Sequence, residues 1–345
     1  MRCLRTKLTS YSGAGIILRT GLTVTSVSVG DPVLITYTHC GSCESCKSGY
    51  TSYCETWEER NFGVGRLDGS KAYSYPDSEK PITSHFFSQS SLARHCVTTE
   101  NSLVPLPKSC LTASLPSPGS SPEPGSPLPL PLLAPLACGI MTGAGSILNV
   151  LKPTPSSRIA IVGTGAVGLA GLMAAATLCP DGKPAQIIAV DVVNARLELA
   201  KRYGATEVIN SMDLPAGETL VDALKRITGG KGVTGSIDCT GRAEVVDSLL
   251  AATSKRGMVV SVGVGRLDAH PSPTIFSTVN SGRVYTGCCM GSCYPKKFIS
   301  MLIEKQREGL FPYTYLTECF NIKDFAKEAE RVRSGAIVKG VVVWE

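Results

Sequence analysis

Long apolar runs are missing from this chain. No stretch reaches the roughly 18 residues that a membrane-spanning helix needs, so the sequence argues against a transmembrane segment. Charge is thin as well. Asp, Glu, Lys and Arg make up 18% of the residues, against about 25% in an ordinary soluble domain. The net charge of +6 comes from scattered Lys and Arg. No basic run could track a phosphate backbone, which argues against nucleic acid as a partner. The opening MRCLRTKLTSYSG is basic but has no apolar centre, so no secretory leader is expected. No internal repeat is present. A disulfide scaffold is not expected either, despite 14 cysteines, because the chain is 345 residues long and 43% hydrophobic, enough for real cores. Most cysteines lie singly among apolar neighbours or as the pair Cys288-Cys289. A reducing compartment, the cytoplasm, is the expected location.

Four of the cysteines follow another rule. In HCGSCESCKSGYTSYC, Cys40, Cys43, Cys46 and Cys54 have the spacing C-x2-C-x2-C-x7-C. Four thiolates drawn together by a short loop complete the tetrahedral shell of Zn²⁺ and leave no position for water. The reading is one structural zinc per chain; buried cysteines or a disulfide pair are the alternatives. Closing such a loop on zinc is worth roughly 10–16 kcal/mol in small peptides. That can fold a Gly/Ser-rich segment with little core of its own.

The length suggests about two domains. Residues 13–40 predict short strands, with a Gly-Asp-Pro turn before PVLITYTH, and residues 84–107 predict strands again. After them comes TASLPSPGSSPEPGSPLPLP, residues 112–131, read as a disordered or polyproline-like insertion. From residue 135 the pattern alternates. LACGIMTGAGSILNVL reads as one helix, RIAIVG as a buried strand, AVGLAGLMAAATL as a helix and QIIAVD as a second buried strand. NARLELAKRYGA is an amphipathic helix with Asn194 as N-cap and Gly204 as its stop. Further apolar strands alternate with helices, which predicts an α/β fold with a parallel sheet covered on both faces. The tail adds two amphipathic helices and a last strand, VKGVVVW.

Gly163-Thr164-Gly165-Ala166-Val167-Gly168 falls between a predicted strand and a predicted helix, the context that a dinucleotide-binding G-x-G-x-x-G requires. Gly163 permits the tight turn, Gly165 lets the backbone approach a pyrophosphate, and Gly168 allows close helix–strand packing. The amides near Ala166 and Val167 then face an anion at a helix N-terminus. The next strand ends in Asp191, where a carboxylate meets the adenosine ribose hydroxyls and opposes a 2′-phosphate. NAD is therefore expected over NADP. Arg196 could lie along the ribose or adenine, or stand solvated on its helix face.

Together these motifs resemble the zinc-containing alcohol dehydrogenases of the medium-chain dehydrogenase/reductase superfamily. LLAPLACGIMTGAGSILNVL is similar to the family segment that carries one catalytic-zinc cysteine, matched by Cys138. FFSQSSLARH and GCCMGSCYPKKFISMLIEKQREGLFP resemble the aryl-alcohol (benzyl alcohol) branch. The resemblance covers residues 13–345 apart from the insertion. It implies a Rossmann domain over 135–289. A GroES-like, β-rich domain would comprise 1–134, with the zinc lobe at 39–55 and the insertion at 112–131, together with the return at 290–345. It implies a homo-oligomer, with a strand near 284–287 extending the sheet between subunits. The implied substrate is a primary aromatic or allylic alcohol and its aldehyde. Thr142 and Val262, Gly263 and Val264 match positions beside the nicotinamide, and Lys339 one that contacts the cofactor phosphates.

One part of the family pattern is altered. Where the family has G-H-E-G-A-G, this chain reads Ser10-Tyr11-Ser12-Gly13-Ala14-Gly15. Tyr replaces the zinc-ligating His. The expectation is that the chain begins too late for the early Cys ligand, since Cys3 is too near Gly13. Cys138 is then the remnant of the catalytic shell. Tyr11 is a weak candidate acid for a carbonyl oxygen. His39, expected to be exposed, and His85 and His95 do not match ligand positions. Two other readings stay open: a metal-independent NAD(P)H reductase of the quinone reductase type, and a non-catalytic cofactor-binding or assembly subunit.

Overall fold

Pro32–Ile35 (PVLI) is buried along its whole length, and it forms the middle strand, β2, of an antiparallel three-stranded sheet. β1 (Gly13–Ile16) lies on one side, with Gly13 opposite Ile35. The computed structural model describes residues 12–63, 65–71, 74–75, 77–81, 86–89, 91–117 and 120–344. It divides into two units, one of residues 1–138 with 293–345, the other of 139–292. In the first unit the cysteine lobe follows β2. It holds a single turn of helix, α1 (Glu44–Lys47), and then α2 (Trp57–Phe62). Two short strands, β3 (Ser74–Tyr75) and β4 (Ser78–Pro81), pair antiparallel. Of the strands expected over 84–107, the described residues form one, β5 (Leu103–Pro105), which pairs with β2. The reason lies in Phe86 and Phe87. A strand would send them to opposite faces, but both rings pack together, 5.0 Å apart, and Phe87 also stacks on Phe62 and Trp57 of α2. Phe87 and Ser88 take φ of 54° and 64° to allow it. This stretch of the chain closes with one more helical turn, α3 (Leu130–Leu133).

The second unit starts with α4 (Gly139–Gly145). The long helix expected from 136 to 151 is broken. Ala134–Ala137 is a tighter 3-10 turn, Cys138 leaves the helical region at φ −147°, ψ −98°, and Ser146–Leu151 widens into a π-helix that ends at left-handed Lys152. The regular part in between packs closely on its neighbours. A Cβ on Gly143 would lie 2.0 Å from the Val167 carbonyl oxygen, and one on Gly145 2.3 Å from that of Gly291. The sheet comes next, in the order β6 (Arg158–Val162), α5 (Ala166–Thr177), β7 (Gln186–Asp191), α6 (Asn194–Arg202), β8 (Glu207–Asn210), α7 (Leu220–Ile227), β9 (Val233–Asp238), α8 (Ala243–Ala252), β10 (Thr253–Ser261), α9 (Ile275–Ser281) and β11 (Val284–Gly287). All pairings are parallel, in the order β11-β10-β9-β6-β7-β8. Asn194 is the first helical residue and not the cap of α6; its Oδ1 accepts from Asn210 Nδ2 at 2.7 Å. Gly204, at φ +112°, stops that helix. α7 carries a capping box between Thr219 and Asp222. α9 has no counterpart among the predicted elements; the Thr274 hydroxyl caps it by accepting from Ser277 N.

The chain returns to the first unit with α10 (Pro295–Arg307), β12 (Thr317–Asn321), α11 (Phe325–Arg333) and β13 (Lys339–Val343), which pairs parallel with β12. The Pro/Ser-rich segment departs from its reading as disordered. Its described residues form no regular element before α3, but they dock. Gly125 N donates to the Arg307 carbonyl at 2.8 Å, Arg307 Nη2 donates back to the Gly125 carbonyl at 3.2 Å, and Leu128 is buried. Its C-terminal end is helical, with Pro131 in the first turn of α3, where proline is tolerated. Among the described residues no single helix is long and apolar enough to cross a membrane.

Candidate functional site

In the second unit the predicted cofactor residues gather at one edge. The turn Gly163–Gly168, Asp191 and Val262–Val264 sit at or just past the C-terminal ends of β6, β7 and β10. The strand order reverses between β6 and β9, the place where doubly wound sheets bind nucleotides. Gly163 holds φ +87°, which favours glycine. A Cβ on Gly168 would lie 2.0 Å from the Gly163 carbonyl oxygen, so the helix can lie this close only without a side chain. At Gly165, by contrast, a Cβ would meet nothing within 4 Å. That space is left open by the protein itself. Gly165 is the N-cap of α5 and offers no side chain, so the first amides of the helix, at Ala166 and Val167, have no partner within it, the arrangement by which helix N-termini can take up an anion.

Asp191 is almost fully enclosed. Its Oδ2 accepts from Thr164 N at 2.6 Å and Thr164 Oγ1 at 2.7 Å. Its Oδ1 accepts from Val192 N at 2.8 Å and Val193 N at 3.0 Å. Thr164 is a residue that sequence reasoning missed, because the middle position of G-x-G carries no requirement in the motif. Arg196 lies in the first turn of α6, and its Nε is buried without a hydrogen-bond partner among the described residues. Asp238 performs a similar task at the end of β9. It accepts from Thr240 N, Thr240 Oγ1 and Gly241 N, while its carbonyl accepts from Val262 N and Gly263 N. These bonds fix the Val262–Val264 turn, with Val264 exposed. Thr142 is buried on α4, and its hydroxyl contacts Met290 Sδ at 3.9 Å.

In the first unit the four cysteines converge. Their sulfurs all lie within 4.8 Å of one another, and Cys40 and Cys46 are 3.9 Å apart. A tetrahedral shell with Zn–S bonds of about 2.3 Å needs sulfurs about 3.8 Å apart, so the residues fit the metal. The amides of Ser42 and Cys43 donate to Cys40 Sγ and draw its thiol down to about 5. Burial pushes the Cys46 thiol up to about 12; a bound cation would favour the thiolate that burial resists. The lobe is tied to the sheet side by Asn61 of α2, which exchanges two hydrogen bonds with Thr38. His39 is buried, contrary to expectation, beside the rings of Tyr37 and Tyr294. Burial first, then the charges of Lys296 and Arg60, bring its pKa down to about 4. Among the described residues no two cysteines are joined in a disulfide.

Residues 8–108 match the alcohol dehydrogenase GroES-like domain, and residues 166–305 match the zinc-binding dehydrogenase family. Geraniol dehydrogenase of Castellaniella defragrans is 31% identical over 335 residues, covering 97% of this chain and 82% of that protein. The chain belongs to the zinc-containing alcohol dehydrogenases of the medium-chain superfamily. The benzyl alcohol dehydrogenase structure from Acinetobacter calcoaceticus superposes with a TM-score of 0.82 at 34% identity, over 96% of this chain and 82% of that one. An alcohol dehydrogenase zinc-binding domain protein from Burkholderia ambifaria gives 0.81 at 33%, over 95% and 81%. This alcohol dehydrogenase relative thus has a GroES-like unit and a Rossmann unit for NAD, with the four-cysteine lobe as its structural zinc site. It is of the oxidoreductase type that interconverts alcohols and aldehydes.

The family's second, catalytic zinc is a different matter. Ser12–Ile16 line a cavity of about 410 Å³ in the first unit, together with Ser91, His95, Pro135, Lys339 and Trp344. Among its described lining residues His95 is the one side chain of metal-ligand type. Among the described residues, Cys40, Cys43, Cys46 and Cys54 form the one set of three or more side chains able to share an ion, and Cys138 is not a member of it. Around this cavity the described donors do not make up the set of three ligands that a catalytic zinc needs. Tyr11 and His85 lie outside the described residues.

Proposed function

We propose that this chain acts on primary aromatic or allylic alcohols and their aldehydes, uses NAD in preference to NADP, and turns over little as it stands. The observation that carries the substrate class is the cluster of Trp57, Phe62, Phe86 and Phe87 on the first unit. Phe62 and Phe86 remain about half exposed, so π surface is still available for a ligand to stack against. The alcohols named in the two relatives, benzyl alcohol and geraniol, are primary, one aromatic and one allylic, which supports the same class. In the cofactor site, Gly163, Gly165, Ala166, Val167 and Gly168 receive the pyrophosphate and Asp191 the adenosine ribose, with Arg196 alongside. Thr142 and Val262–Val264 border the nicotinamide, and Lys339, which opens β13, meets the phosphates. Residues 1–134 with 290–345 form the substrate side, and 135–289 the cofactor side.

Hydride can leave an alcohol carbon only as the oxygen loses its proton and its charge is stabilised, the task a catalytic zinc performs in this family. With a donor set that does not fit that ion, the expected behaviour is NADH binding without appreciable oxidation; Tyr11 stands as the weak alternative acid. Steady-state turnover of benzyl alcohol with NAD, run beside a zinc determination and an NADH fluorescence titration, tests this. The expected result is about one zinc per chain, NADH binding, and turnover near background. Robust turnover that a chelator abolishes would refute the reading of the second site. Quenching of bound NADH by benzaldehyde but not by acetaldehyde supports the substrate class; equal effects of both remove it. The setting proposed is the cytoplasm, and the exposed apolar residues of α9 and β11 favour a homo-oligomer.

A further inference from the structure

Asp191 has no vacant acceptor. An ionised carboxylate offers about four lone-pair positions, and four donors occupy them at 2.6, 2.7, 2.8 and 3.0 Å. Two of these, the amides of Val192 and Val193, come from the strand end that carries Asp191 and exist wherever the chain turns in this way. The other two come from one residue, Thr164, 27 positions earlier in the phosphate-binding turn. Thr164 is fully buried, so its hydroxyl has no water to turn to. Amide and hydroxyl grip the same oxygen, Oδ2, while the strand end grips Oδ1. The carboxylate is therefore held at both ends and cannot swing aside.

We propose that Thr164 is a specificity-determining residue for the dinucleotide: its hydroxyl fixes the Asp191 carboxylate so that a 2′-phosphate is refused. A ribose diol can share an acceptor with a donor already in place, because a hydroxyl brings only a proton to the carboxylate. A 2′-phosphate brings charge and bulk, and it can be accommodated only if the carboxylate rotates away. Removing the Thr164 hydroxyl leaves Oδ2 with a single amide bond and gives the carboxylate that freedom. The discrimination thus resides in the pair and not in the acidic side chain alone. This inference rests on reading Asp191 as the ribose acceptor, and the experiment separates the two.

The test compares dissociation constants of NADPH and NADH, by fluorescence titration, for the unaltered protein, Thr164→Val, Thr164→Ser, Thr164→Ala and Asp191→Asn, with a melting curve for each. One hydrogen bond to a charged group corresponds to about tenfold or more in a binding ratio. The Kd ratio of NADPH to NADH is expected to fall about tenfold in Thr164→Val, mainly through tighter NADPH binding, and to be kept in Thr164→Ser. Should Thr164→Val not fold, Thr164→Ala reports the same loss. If both cofactors weaken equally in Thr164→Val, the residue is merely structural and the inference is overturned. An unchanged ratio in Thr164→Val and Thr164→Ala, with a fall in Asp191→Asn, also overturns it but leaves the ribose reading intact. An unchanged ratio in Asp191→Asn removes both.

Discussion

At Gly165 a methyl group would meet nothing within 4 Å, while at Gly168 it would lie 2.0 Å from a backbone oxygen that cannot give way. The two glycines of one turn therefore serve different ends, and substitution should separate them. Gly165→Ala is expected to melt within a degree or two of the unaltered protein and to weaken NADH at least about tenfold, because the methyl takes the space a pyrophosphate needs. Gly168→Ala is expected to lose about 1–3 kcal/mol of stability, the usual cost of overpacking. Melting curves and NADH titrations check both; a Gly165→Ala protein that binds NADH normally would show that the open space is not a phosphate seat. This turn was legible because it acts through the backbone, and backbone demands show as glycines at fixed spacing. Thr164 and His39 were not. The first acts on a residue remote in sequence, and the second is covered by Tyr294, which arrives from the far end of the chain.

Among the elements, the cysteine lobe is built from pieces too short to persist alone. α1 has four residues, and its N-cap provides no side-chain bond; isolated helices below about 12 residues are marginal in water. Zinc should hold it together. Stripping the metal with a chelator is expected to open residues 41–53 to proteases while the second unit resists, and elemental analysis should give about one zinc per intact chain. Unchanged cleavage after metal loss would mean that the lobe is held by its neighbours. The proline-rich segment makes the opposite case. Its composition suggests no structure, yet Leu128 is buried and Gly125 is bonded to Arg307. Leu128→Ala is expected to cost about 2–5 kcal/mol and to speed proteolysis within 112–127; cleavage at the original rate would show that the segment does not depend on this contact. Elements ruled by local periodicity, such as the six parallel strands, could be read directly. Those decided by contacts could not: the helical turn at Phe86-Phe87 and the docked Gly125 both answer to partners elsewhere in the chain.

At the scale of the whole molecule, one surface of the second unit is unsuited to water. β11 is the edge strand of the six-stranded sheet, and a bare edge invites pairing with another strand. Just before it in the chain α9 exposes Ile275, Phe276 and Val279, with Phe276 at 79% of its full exposure, and the strand itself exposes Val284 and Tyr285. Single exposed apolar residues are ordinary, but several on a helix and on the edge strand that follows it favour an interface. The commonest closed solution is a twofold axis, which lets the same patch serve both partners. We therefore expect light scattering to report about twice the 36.3 kDa chain mass. The double substitution Phe276→Glu, Val279→Glu places charges where each copy would meet the other. It is expected to give the single-chain mass and to leave NADH binding in place, since neither residue belongs to the Gly163–Gly168 turn or to the Asp191 pair. A variant that keeps the doubled mass would place the interface elsewhere, and a monomeric unaltered protein would mean that this face is covered by something other than a second copy.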